Sequence, residues 1–344
     1  MAAIRFKIDG RDIETQPGKS ILEASLDAGI YIPFLCYHPD LSTTGDCGLC
    51  VVEVDGKDEL VISCTTPAGE GMAVKTKTEK LAGARRQAME KILEGHPADC
   101  GTCIKYLNCE LQSLKQYISE EEYKPKGHAR LFAVDSGNPL FTIDPNKCVL
   151  CQRCVRACKE LRGVGILVEK TKDEEKYIGT AEGLPLAESG CRFCGACAEV
   201  CPSGAIMDKE ELTKGKNRKA ALLPCKNTCP AEIDVPGYLR FIREKDYAAA
   251  AAVIREKVPF PGVLGYVCDH PCEDVCRRGE INQAVSIREL KRYAAEHDEI
   301  VIRAKDTNRK PATGKKAAVI GAGPAGLTAA YYLAKQGHDV TVFE

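Results

Sequence analysis

Tryptophan is absent from the 344-residue sequence, and aromatic residues make up only 6% of it. No uninterrupted apolar run approaches the ~18 residues that a membrane-spanning helix needs, so we expect no membrane span. Neither sign of charge dominates, because 48 basic residues nearly balance 49 acidic ones. Bulk charge therefore gives no reason to expect nucleic acid or an anionic membrane as a partner. The opening segment "MAAIRFKIDGRDIE" has no apolar signal region, so we expect a cytoplasmic protein.

Cysteine, in contrast, is abundant, since the sequence has 20 of them. Disulfides would explain that number in a small secreted protein, but in a cytoplasmic chain of this length the cysteines point to metal. With 44% hydrophobic residues the chain can also bury the cores of several domains. The spacing of the cysteines then decides which metal is expected.

The first set consists of Cys36, Cys47, Cys50 and Cys64. It lies in an amino-terminal segment with alternating strand patterns, a capping-box pair at Ser20 and Glu23, and a hairpin turn at Asp55-Gly56, which together predict a β-grasp fold. Four thiolates suit a 2Fe-2S core, since soft sulfur ligands stabilise iron, although a zinc ribbon is the alternative for this set alone. The stretch "IPFLCYHPDLSTTGDCGLC" resembles the amino-terminal ferredoxin domain of the peripheral iron-sulfur subunit of respiratory complex I and of iron-only hydrogenases.

The second set joins one imidazole to three thiolates in "HPADCGTCIKYLNC", and its members are His96, Cys100, Cys103 and Cys109. Exchanging one thiolate of a 4Fe-4S centre for a neutral imidazole removes a negative charge, which by itself should raise the reduction potential. A lone histidine before a proline is more typical of a surface residue. The motif H-x3-C-x2-C-x5-C, however, resembles the cluster motif of one histidine and three cysteines in the same two families, which implies that His96 is a ligand.

The third set repeats the spacing C-x2-C-x2-C-x3-C twice, first at Cys148, Cys151, Cys154 and Cys158, then at Cys191, Cys194, Cys197 and Cys201. The repeat resembles bacterial two-cluster ferredoxins, in which the fourth cysteine of each run serves the other cluster. That resemblance implies one 4Fe-4S centre on Cys148, Cys151, Cys154 and Cys201, and another on Cys191, Cys194, Cys197 and Cys158. Lys147, Arg153 and Arg156 either offset cluster charge or lie on the solvated surface. Structural zinc is the alternative reading of the thiolates.

Five cysteines remain, namely Cys225, Cys229, Cys268, Cys272 and Cys276. By count they hold one four-thiolate 4Fe-4S centre with one thiol left over, and which thiol that is stays open. The stretches "PCKNTCPAEIDVPGYLRFI" and "VCDHPCEDVCRRG", followed by "SIRELKRYA", resemble the small subunit of glutamate synthase and related NADPH-dependent flavoproteins. That family has further cysteines before the first stretch and one near the position of Leu264, and this sequence departs from it at both places.

The last residues carry G-x-G-x-x-G at Gly321, Gly323 and Gly326, after the strand pattern "AAVI", and Glu344 ends the next strand pattern. The glycines permit a tight turn and close approach to a pyrophosphate, and the carboxylate can bind a ribose hydroxyl. The glutamate synthase resemblance favours FAD over NAD. A flavin domain needs roughly another hundred residues by ordinary domain sizes, so we expect the front part of a longer protein that binds FAD when complete. A βαβ unit without ligand is the alternative.

Together these segments predict an α+β multidomain chain with one 2Fe-2S and four 4Fe-4S centres. The expected modules are a β-grasp 2Fe-2S ferredoxin domain at 1–78, a histidine-ligated 4Fe-4S domain at 79–123, a bacterial-type two-cluster 4Fe-4S ferredoxin domain at 138–210, a glutamate synthase small subunit-like α-helical 4Fe-4S domain at 218–305, and the beginning of a Rossmann-like FAD domain at 314–344. No residue pattern supplies acid–base or nucleophilic catalysis, so no catalytic residue is assigned.

The fusion of the two resemblances is similar to iron-sulfur subunits of cytoplasmic NAD(P)H:ferredoxin oxidoreductase complexes, including electron-bifurcating transhydrogenases. Iron-sulfur centres move single electrons, nicotinamides exchange hydrides, and flavins convert between the two, so we expect an electron relay serving a flavin and NADP(H) module. The resemblance implies three partners: a subunit carrying FMN and an NADH site, a thioredoxin-like 2Fe-2S subunit, and ferredoxin.

Three alternatives to this relay stay open. The chain could feed electrons to a hydrogenase or formate dehydrogenase complex; no motif of a hydrogen-activating cluster follows Cys201, so the chain itself is not expected to be the hydrogenase. It could serve as the electron donor of a glutamate synthase. From a different class of protein, it could be a zinc-stapled scaffold with no redox role.

Overall fold

The computed structural model describes residues 3–103, 105–119, 130–209, 222–298 and 309–344. The chain forms two structural units, each of them interrupted in sequence. The first comprises Met1–Leu161, Gly165–Cys191 and Gly195–Lys214, and the second comprises Arg162–Val164, Arg192–Cys194 and Gly215–Glu344. None of the helices in the described ranges combines the length and the apolar character needed to cross a bilayer.

A five-stranded mixed sheet opens the first unit. Its strands are β1 (Ile4–Ile8), β2 (Arg11–Thr15), β3 (Val51–Val54), β4 (Val61–Ile62) and β5 (Ala73–Lys75). They lie in the order β2-β1-β5-β3-β4. β1 and β2 are antiparallel, and β1 and β5 are parallel. Alternate residues of a strand point to the same face of a sheet, and Phe6 and Ile8 of β1 are both buried. Ile13 of β2 is the register partner of Phe6 and is buried as well. The predicted pairing of β3 with β4 is confirmed.

Helix α1 (Ile21–Asp27) packs against this sheet. The Ser20 hydroxyl accepts a hydrogen bond from the Glu23 N–H at 3.2 Å, and the Glu23 carboxylate accepts one from the Ser20 N–H at 2.8 Å. The predicted capping box is therefore confirmed, and it satisfies two of the helix's otherwise unpaired N–H groups. Ile21 and Leu22 join the buried core beneath the sheet, so the expected β-grasp outline of sheet and helix is present.

Helices α2 (Glu79–Leu93) and α3 (Glu110–Ile118) enclose a second core in the first unit. The buried members of that core are Leu35, Leu49, Met89, Leu93, Leu111, Leu114 and Val149. Leu35, Leu49 and Val149 each adjoin a cysteine of the predicted ligand sets. Each buried Leu or Val side chain contributes about 1.5–3 kcal/mol, so one apolar core fixes the loops that carry several candidate ligands.

The ferredoxin-like part of the first unit is closed by two short antiparallel strands, β6 (Phe141–Ile143) and β9 (Ile206–Asp208). β6 precedes Cys148 and β9 follows Cys201, so their pairing returns the end of the second cysteine run to the start of the first. Between them lie 3₁₀ turn Pro145–Lys147, helix α4 (Arg153–Arg156), π-helical turn Ala157–Leu161 and helix α5 (Ala196–Glu199).

A β-hairpin separates the two ferredoxin cysteine runs. Its strands are β7 (Leu167–Lys172) and β8 (Glu175–Thr180), in continuous antiparallel register. Sequence patterns show only a charged insert here. The turn residues Asp173 and Glu174 both have positive φ, at +52° and +67°, and Glu174 stands where glycine usually signals such a turn.

The second unit is mainly helical between residues 222 and 298. Its helices are Pro224–Thr228, Val235–Arg243, Tyr247–Arg255, Pro261–Val267, Pro271–Asp274 and Ile287–Glu296, with a 3₁₀ turn at Arg277–Glu280. Asp234 and Asp246 cap two of them by accepting hydrogen bonds from the N–H groups of Gly237 and Ala249. Tyr238 and Ile254 lie at the centre of the buried core of this part.

The carboxy-terminal residues form a βαβ unit of β10 (Lys316–Ile320), helix Pro324–Lys335 and β11 (Asp339–Phe343). The two strands are parallel and pair from Lys316–Asp339 to Ile320–Phe343. The strand, glycine turn, helix and strand predicted from the sequence are confirmed.

Candidate metal centres

The structure brings the four cysteines of the first set together. Cys36 lies in the loop before β3, Cys47 and Cys50 immediately precede that strand, and Cys64 follows β4. The Cys36 thiol is within hydrogen-bonding reach of Cys47 and Cys64, and the Cys50 thiol of Cys64. The hydrogen bond with Cys64 lowers the pKa of Cys50 to about 7. Three of the four thiols are buried and Cys47 is partly buried.

Two glycines shape the loop that carries this first set. Gly45 and Gly48 have φ of +76° and +66°, in the left-handed region where a side chain is strained. A Cβ at Gly45 would also lie 3.1 Å from the Ile62 side chain. Glycine is therefore required for the loop to turn this closely around its thiols.

The second set is brought together only in part. Cys100 begins the 3₁₀ turn Cys100–Thr102, Cys103 follows it, and Cys109 precedes α3. Burial raises the pKa of the Cys109 thiol, and the charges of Cys103 and Cys100 add to the effect, which reflects their proximity. The neighbours that most affect the pKa of His96 are Arg130 and Lys147, not the three cysteines of this set.

His96 nevertheless has the properties of a metal ligand. Burial, and then the charge of Arg130, lower its pKa to about 4, so the ring is neutral near pH 7. A backbone hydrogen bond joins the ring to Lys147, while the Nδ1 atom is buried and has no hydrogen-bond partner among the described residues. A buried nitrogen lone pair without a partner is costly, and a metal ion is one group that would satisfy it.

Four cysteines of the third set line one small cavity of the first unit: Cys148, Cys151, Cys154 and Cys201. Burial raises the pKa of Cys148 to about 11 and of Cys151 to about 12, and it also holds the pKa of Cys154 well above its usual range. The charge of Cys201 contributes in the same direction to each of them. Metal binding to these thiols would therefore release protons.

The two ferredoxin runs share an unusual backbone. Leu150 and Phe193, each two residues after the first cysteine of its run, have φ of +53° and +56°. Gln152 and Gly195, each four residues after that cysteine, have φ of +59° and +74°. The Leu150 N–H points at the Cys148 sulfur, 3.4 Å away. Bulky residues in the left-handed region are strained, and such strain persists at functional sites, here turning N–H groups toward the thiols.

The remaining cysteines of the runs fall in both units. Cys158, Cys191 and Cys197 belong to the first unit, and Cys197 is buried. Cys194 belongs to the second unit, where the Arg162 guanidinium donates a hydrogen bond to its thiol. Arg162 also donates to the Leu222 carbonyl at 3.0 Å and approaches the Cys225 sulfur at 4.0 Å.

The last five cysteines lie in the helical part of the second unit. Burial raises the pKa of Cys272 to about 12, and the thiols whose charges add to this are those of Cys229, Cys225 and Cys268. The charge of Cys276 raises the pKa of Cys225, and these two cysteines line one cavity. The backbone resembles that of the ferredoxin runs, because His270, two residues after Cys268, has φ of +47° and its N–H lies 3.4 Å from the Cys268 sulfur.

Buried arginines accompany the candidate centres of the first unit. Arg153 and Arg156 are only 1% and 7% exposed, so of the two readings of the sequence the solvated surface is wrong for both. Arg85 is buried as well, where it donates to the carbonyls of Val51 and Thr76, and its pKa is lowered by burial. Arg130 donates to the Cys148 carbonyl at 2.7 Å. Buried cations of this kind lie where anionic groups are expected.

The glycine turn of the βαβ unit is built for close backbone contact. Gly321 has φ of +96°, and a Cβ at Gly326 would lie 1.9 Å from the Gly321 carbonyl oxygen. At Gly323 a Cβ would meet nothing within 4 Å. The Glu344 carboxylate accepts a hydrogen bond from the Ala322 N–H inside the turn, so the predicted acidic residue lies beside the predicted pyrophosphate site.

Within the described ranges, no three His, Cys, Asp or Glu side chains are gathered closely enough to enclose a single metal ion.

Five family models match successive parts of the chain. They are described as a 2Fe-2S iron-sulfur cluster binding domain (residues 1–79), the NADH-ubiquinone oxidoreductase-G iron-sulfur binding region (85–120), the ferredoxin-like domain of NADH-quinone oxidoreductase subunit 3 (138–207), the 4Fe-4S domain II of dihydropyrimidine dehydrogenase (205–301), and an NAD(P)-binding Rossmann-like domain (319–344). The presence of 2Fe-2S, 4Fe-4S and Rossmann-like domains is therefore confirmed.

Individual proteins match over about two thirds of the chain. It is 35% identical over 229 residues to the NADPH-Fe(3+) oxidoreductase subunit alpha of Geobacter sulfurreducens, which is 66% of this chain and 26% of that protein. It is 34% identical over 217 residues to an NADP-reducing hydrogenase subunit of Solidesulfovibrio fructosivorans. The match covers 62% of this chain and 37% of that protein. The chain thus spans well under half the length of either relative.

A solved structure matches as well. In the crystal structure of an NAD+-reducing NiFe hydrogenase in the H2-reduced state, one chain is 33% identical to this one, with a TM-score of 0.56. The match covers 61% of this chain and 89% of that chain. The likeness therefore extends to the fold as well as to the sequence.

Sequence reasoning missed the buried and partly buried cations around the centres. Arg85, Arg130 and Arg162 lie outside the cysteine motifs, and their roles depend on contacts with residues distant in sequence. The one available signal was the basic residues inside the first ferredoxin run, and periodicity alone does not separate buried arginine from surface arginine.

Proposed function

We propose that this chain, which belongs to the family of iron-sulfur subunits of NADH- and NADPH-linked oxidoreductase and hydrogenase complexes, relays single electrons inside such a complex. The relay connects a module that binds flavin and NADP(H) to partner sites that use NADH and ferredoxin. Iron-sulfur centres supply one-electron chemistry, which a hydride-carrying nicotinamide lacks. The residues of the chain hold these centres in order and exclude water from them.

We assign five ligand sets to this relay. A 2Fe-2S centre is held by Cys36, Cys47, Cys50 and Cys64. Three 4Fe-4S centres are held by His96, Cys100, Cys103 and Cys109; by Cys148, Cys151, Cys154 and Cys201; and by Cys191, Cys194, Cys197 and Cys158. The last is held by four of the remaining five cysteines. The charges of Cys229, Cys225 and Cys268 raise the pKa of Cys272, which supports these four as one set, while Cys276 acts on Cys225.

One observation carries the proposal: the cavity lined by Cys148, Cys151, Cys154 and Cys201. Three of these cysteines belong to the first run and the fourth ends the second run. An interleaved pair of 4Fe-4S sites accounts for this arrangement, whereas a set taken from a single run would bring Cys158 into that cavity. Structural zinc gives no reason for two cysteine runs to exchange their last members.

The protein's contribution at these sites is burial, charge and donor groups. Cys148 and Cys154 are buried, which keeps water from the sulfur ligands. Arg130 and Arg153 supply positive charge beside the same cysteine run, and the left-handed turn at Leu150 brings its N–H within 3.4 Å of the Cys148 sulfur. Such donors and charges are the means by which a protein adjusts a reduction potential.

The carboxy-terminal βαβ unit is assigned to FAD. Gly321 and Gly323 leave room for a pyrophosphate, the following helix begins at Pro324 with its positive dipole end toward it, and Glu344 binds a ribose hydroxyl. The partners we propose are a subunit with FMN and an NADH site, a thioredoxin-like 2Fe-2S subunit, and ferredoxin. Electron bifurcation, in which NADPH oxidation is divided between NAD and ferredoxin, is the most specific form of this proposal.

The test is anaerobic purification of the protein with its partners, followed by assays with NADPH, NAD and ferredoxin. We expect ferredoxin reduction that requires NAD to be reduced in the same turnover. Reduction of NAD alone, at an unchanged rate without ferredoxin, would leave the relay in place and overturn bifurcation. A purified complex without iron and sulfide would overturn the relay itself.

Electron input to a hydrogenase is the second candidate function. It is favoured by the likeness to an NADP-reducing hydrogenase subunit and by the match to 89% of a chain of the NAD+-reducing hydrogenase. The distinguishing result is hydrogen-dependent reduction of NADP by the purified complex. Its absence, together with NADPH-dependent ferredoxin reduction, favours the oxidoreductase.

A further inference from the structure

Arg156 connects two candidate centres of the first unit. It is the last residue of α4 and is 7% exposed. Its Nη2 donates to the Cys36 carbonyl at 2.5 Å and to the Cys151 carbonyl at 3.2 Å. Cys36 belongs to the proposed 2Fe-2S set, and Cys151 belongs to a proposed 4Fe-4S set. One guanidinium therefore touches the backbone of a ligand residue from each.

A second contact beside Arg156 holds the same loop. The Arg156 Nη1 donates to the Ser42 carbonyl, while the Glu160 carboxylate accepts hydrogen bonds from the Ser42 N–H at 2.8 Å and the Ser42 hydroxyl at 2.5 Å. Arg156 and Glu160 lie one turn apart, so this segment grips the Cys36–Ser42 loop from both its carbonyl and its N–H side. The Glu160 contacts are exposed, whereas the Arg156 contacts are buried or partly buried.

The charge of Arg156 has no carboxylate partner among the described residues. Its hydrogen bonds go to neutral carbonyls, none of the ion pairs includes it, and its Nε is buried with no hydrogen-bond partner. A buried cation without a counter-charge is costly, because its hydration is lost and nothing replaces it. Thiolate-ligated iron-sulfur centres are anionic, and they would supply the missing negative charge on both sides.

We propose that Arg156 is a positioning residue that fixes the Cys36 loop against the Cys151 loop, and that its positive charge raises the reduction potentials of both centres together. This inference rests on the function proposed above. It assigns two separable roles to one side chain: the fork of the guanidinium sets the geometry, and the charge sets the potentials. Lysine retains the charge but not the fork, which allows the two roles to be tested apart.

The test uses Arg156→Gln and Arg156→Lys in the complete protein, purified anaerobically. The potentials of the two centres are measured by redox titration followed by EPR, and the Cys148 centre is identified as the signal that Cys148→Ser removes. Arg86→Gln is the control, because Arg86 is an exposed arginine of α2. The magnetic interaction between the two reduced centres reports on their relative position.

In Arg156→Gln we expect the ratio of reduced to oxidised centre, at a fixed ambient potential, to fall about tenfold at both centres. That is about 59 mV for one electron, and it is the size expected for one charge roughly 10 Å away at an effective dielectric constant near 20. In Arg156→Lys the ratio of reduced to oxidised centre should stay within about threefold of wild type at both centres, while the magnetic interaction between them changes. Arg86→Gln should change neither quantity.

The inference is overturned when Arg156→Gln leaves either potential unmoved, or when Arg156→Lys lowers both as far as Arg156→Gln does. Where Arg156→Gln does not assemble, Arg156→Lys decides alone: a tenfold fall in the ratio of reduced to oxidised centre at both sites overturns the inference. Wild-type protein without either EPR signal overturns the proposed function and this inference with it. Wild-type protein with both signals, and unmoved potentials in the glutamine variant, overturns this inference alone.

Discussion

The Cys109 sulfur lies 3.6 Å from the carbonyl oxygen of Pro202. The Leu111 N–H donates to the same carbonyl at 3.3 Å. Gly204 lies close to another cysteine of the same motif, since a Cβ built at Gly204 would be 3.4 Å from the Cys103 sulfur. The segment that follows Cys201 therefore packs against the cysteines of the histidine-containing motif. Two candidate 4Fe-4S sites are neighbours through these few backbone residues.

Pairs of serine variants test the interleaved ligand sets. We expect Cys148→Ser combined with Cys201→Ser to lose about four iron atoms per chain, because both cysteines serve one centre. Cys148→Ser combined with Cys158→Ser should lose about eight, because these two serve different centres. The measurement is iron per chain in anaerobically purified protein. The reverse result, a loss of about eight in the Cys148–Cys201 double variant and about four in the Cys148–Cys158 double variant, would show that the ligand sets are not exchanged between the runs.

Replacement of His96 tests the buried nitrogen without a hydrogen-bond partner. His96→Ala should lose about four iron atoms per chain, since alanine offers no ligand. His96→Cys should keep the iron but lower the potential of that centre by about 60 mV or more, because the thiolate adds a negative charge. Iron analysis and redox titration are the measurements.

The matched control for His96 is His297→Gln, because His297 is an exposed histidine that stacks on Tyr293. It should alter neither iron nor potential. Full iron content in His96→Ala would remove this residue from the ligand set.

The ion pair between Arg153 and Glu110 should stabilise the first unit. The Arg153 side chain is 2% exposed, and its Nη1 lies 2.8 Å from the Glu110 carboxylate, which is 55% exposed. Glu110→Gln leaves a buried cation with a weaker partner, so we expect a loss of about 1–2 kcal/mol, less than for a fully buried pair. The measurement is the shift of the apparent denaturation midpoint in urea.

Glu14→Gln is the control for that ion pair. It removes the surface pair Arg5–Glu14, whose side chains are 76% and 59% exposed, and should cost less than about 0.5 kcal/mol. Equal shifts in the two variants would contradict the argument from burial.

Two glycines of the nucleotide turn separate a folding role from a binding role. Gly326→Ala should destabilise the βαβ unit by about 3 kcal/mol or more, because the new methyl would meet the Gly321 carbonyl at 1.9 Å and neither backbone can move away. Gly323→Ala should leave the fold intact, since its Cβ meets nothing within 4 Å, but weaken FAD binding by crowding the pyrophosphate. Limited proteolysis and flavin content distinguish the two. Undiminished flavin in Gly323→Ala would argue against a dinucleotide at this turn.

Much of the local architecture was predictable because local rules determine it. The capping box at Ser20 and Glu23, the helix that ends at Leu93 before Gly95, and the terminal βαβ unit each depend on residues close in sequence. The hairpin of β7 and β8 was not predictable, because Glu174 adopts a positive φ at a turn position that glycine usually occupies.

The candidate sites were predictable to a different extent. Cysteine spacing identified the thiols that line the cavity with Cys148, because that spacing reflects the chemistry directly. It gave no indication that Arg156 reaches Cys36, 120 residues away, or that Lys147 and Arg130 are the main neighbours of His96. Contacts of this range depend on how the modules pack, and a motif does not encode them.

The most direct test of the relay is the amount of iron and acid-labile sulfide bound per chain in protein purified without oxygen. One 2Fe-2S and four 4Fe-4S centres predict about 18 iron atoms and an equal amount of sulfide, with EPR signals that appear on reduction. Stoichiometric zinc without sulfide, at cysteines that remain redox-silent, would contradict the account.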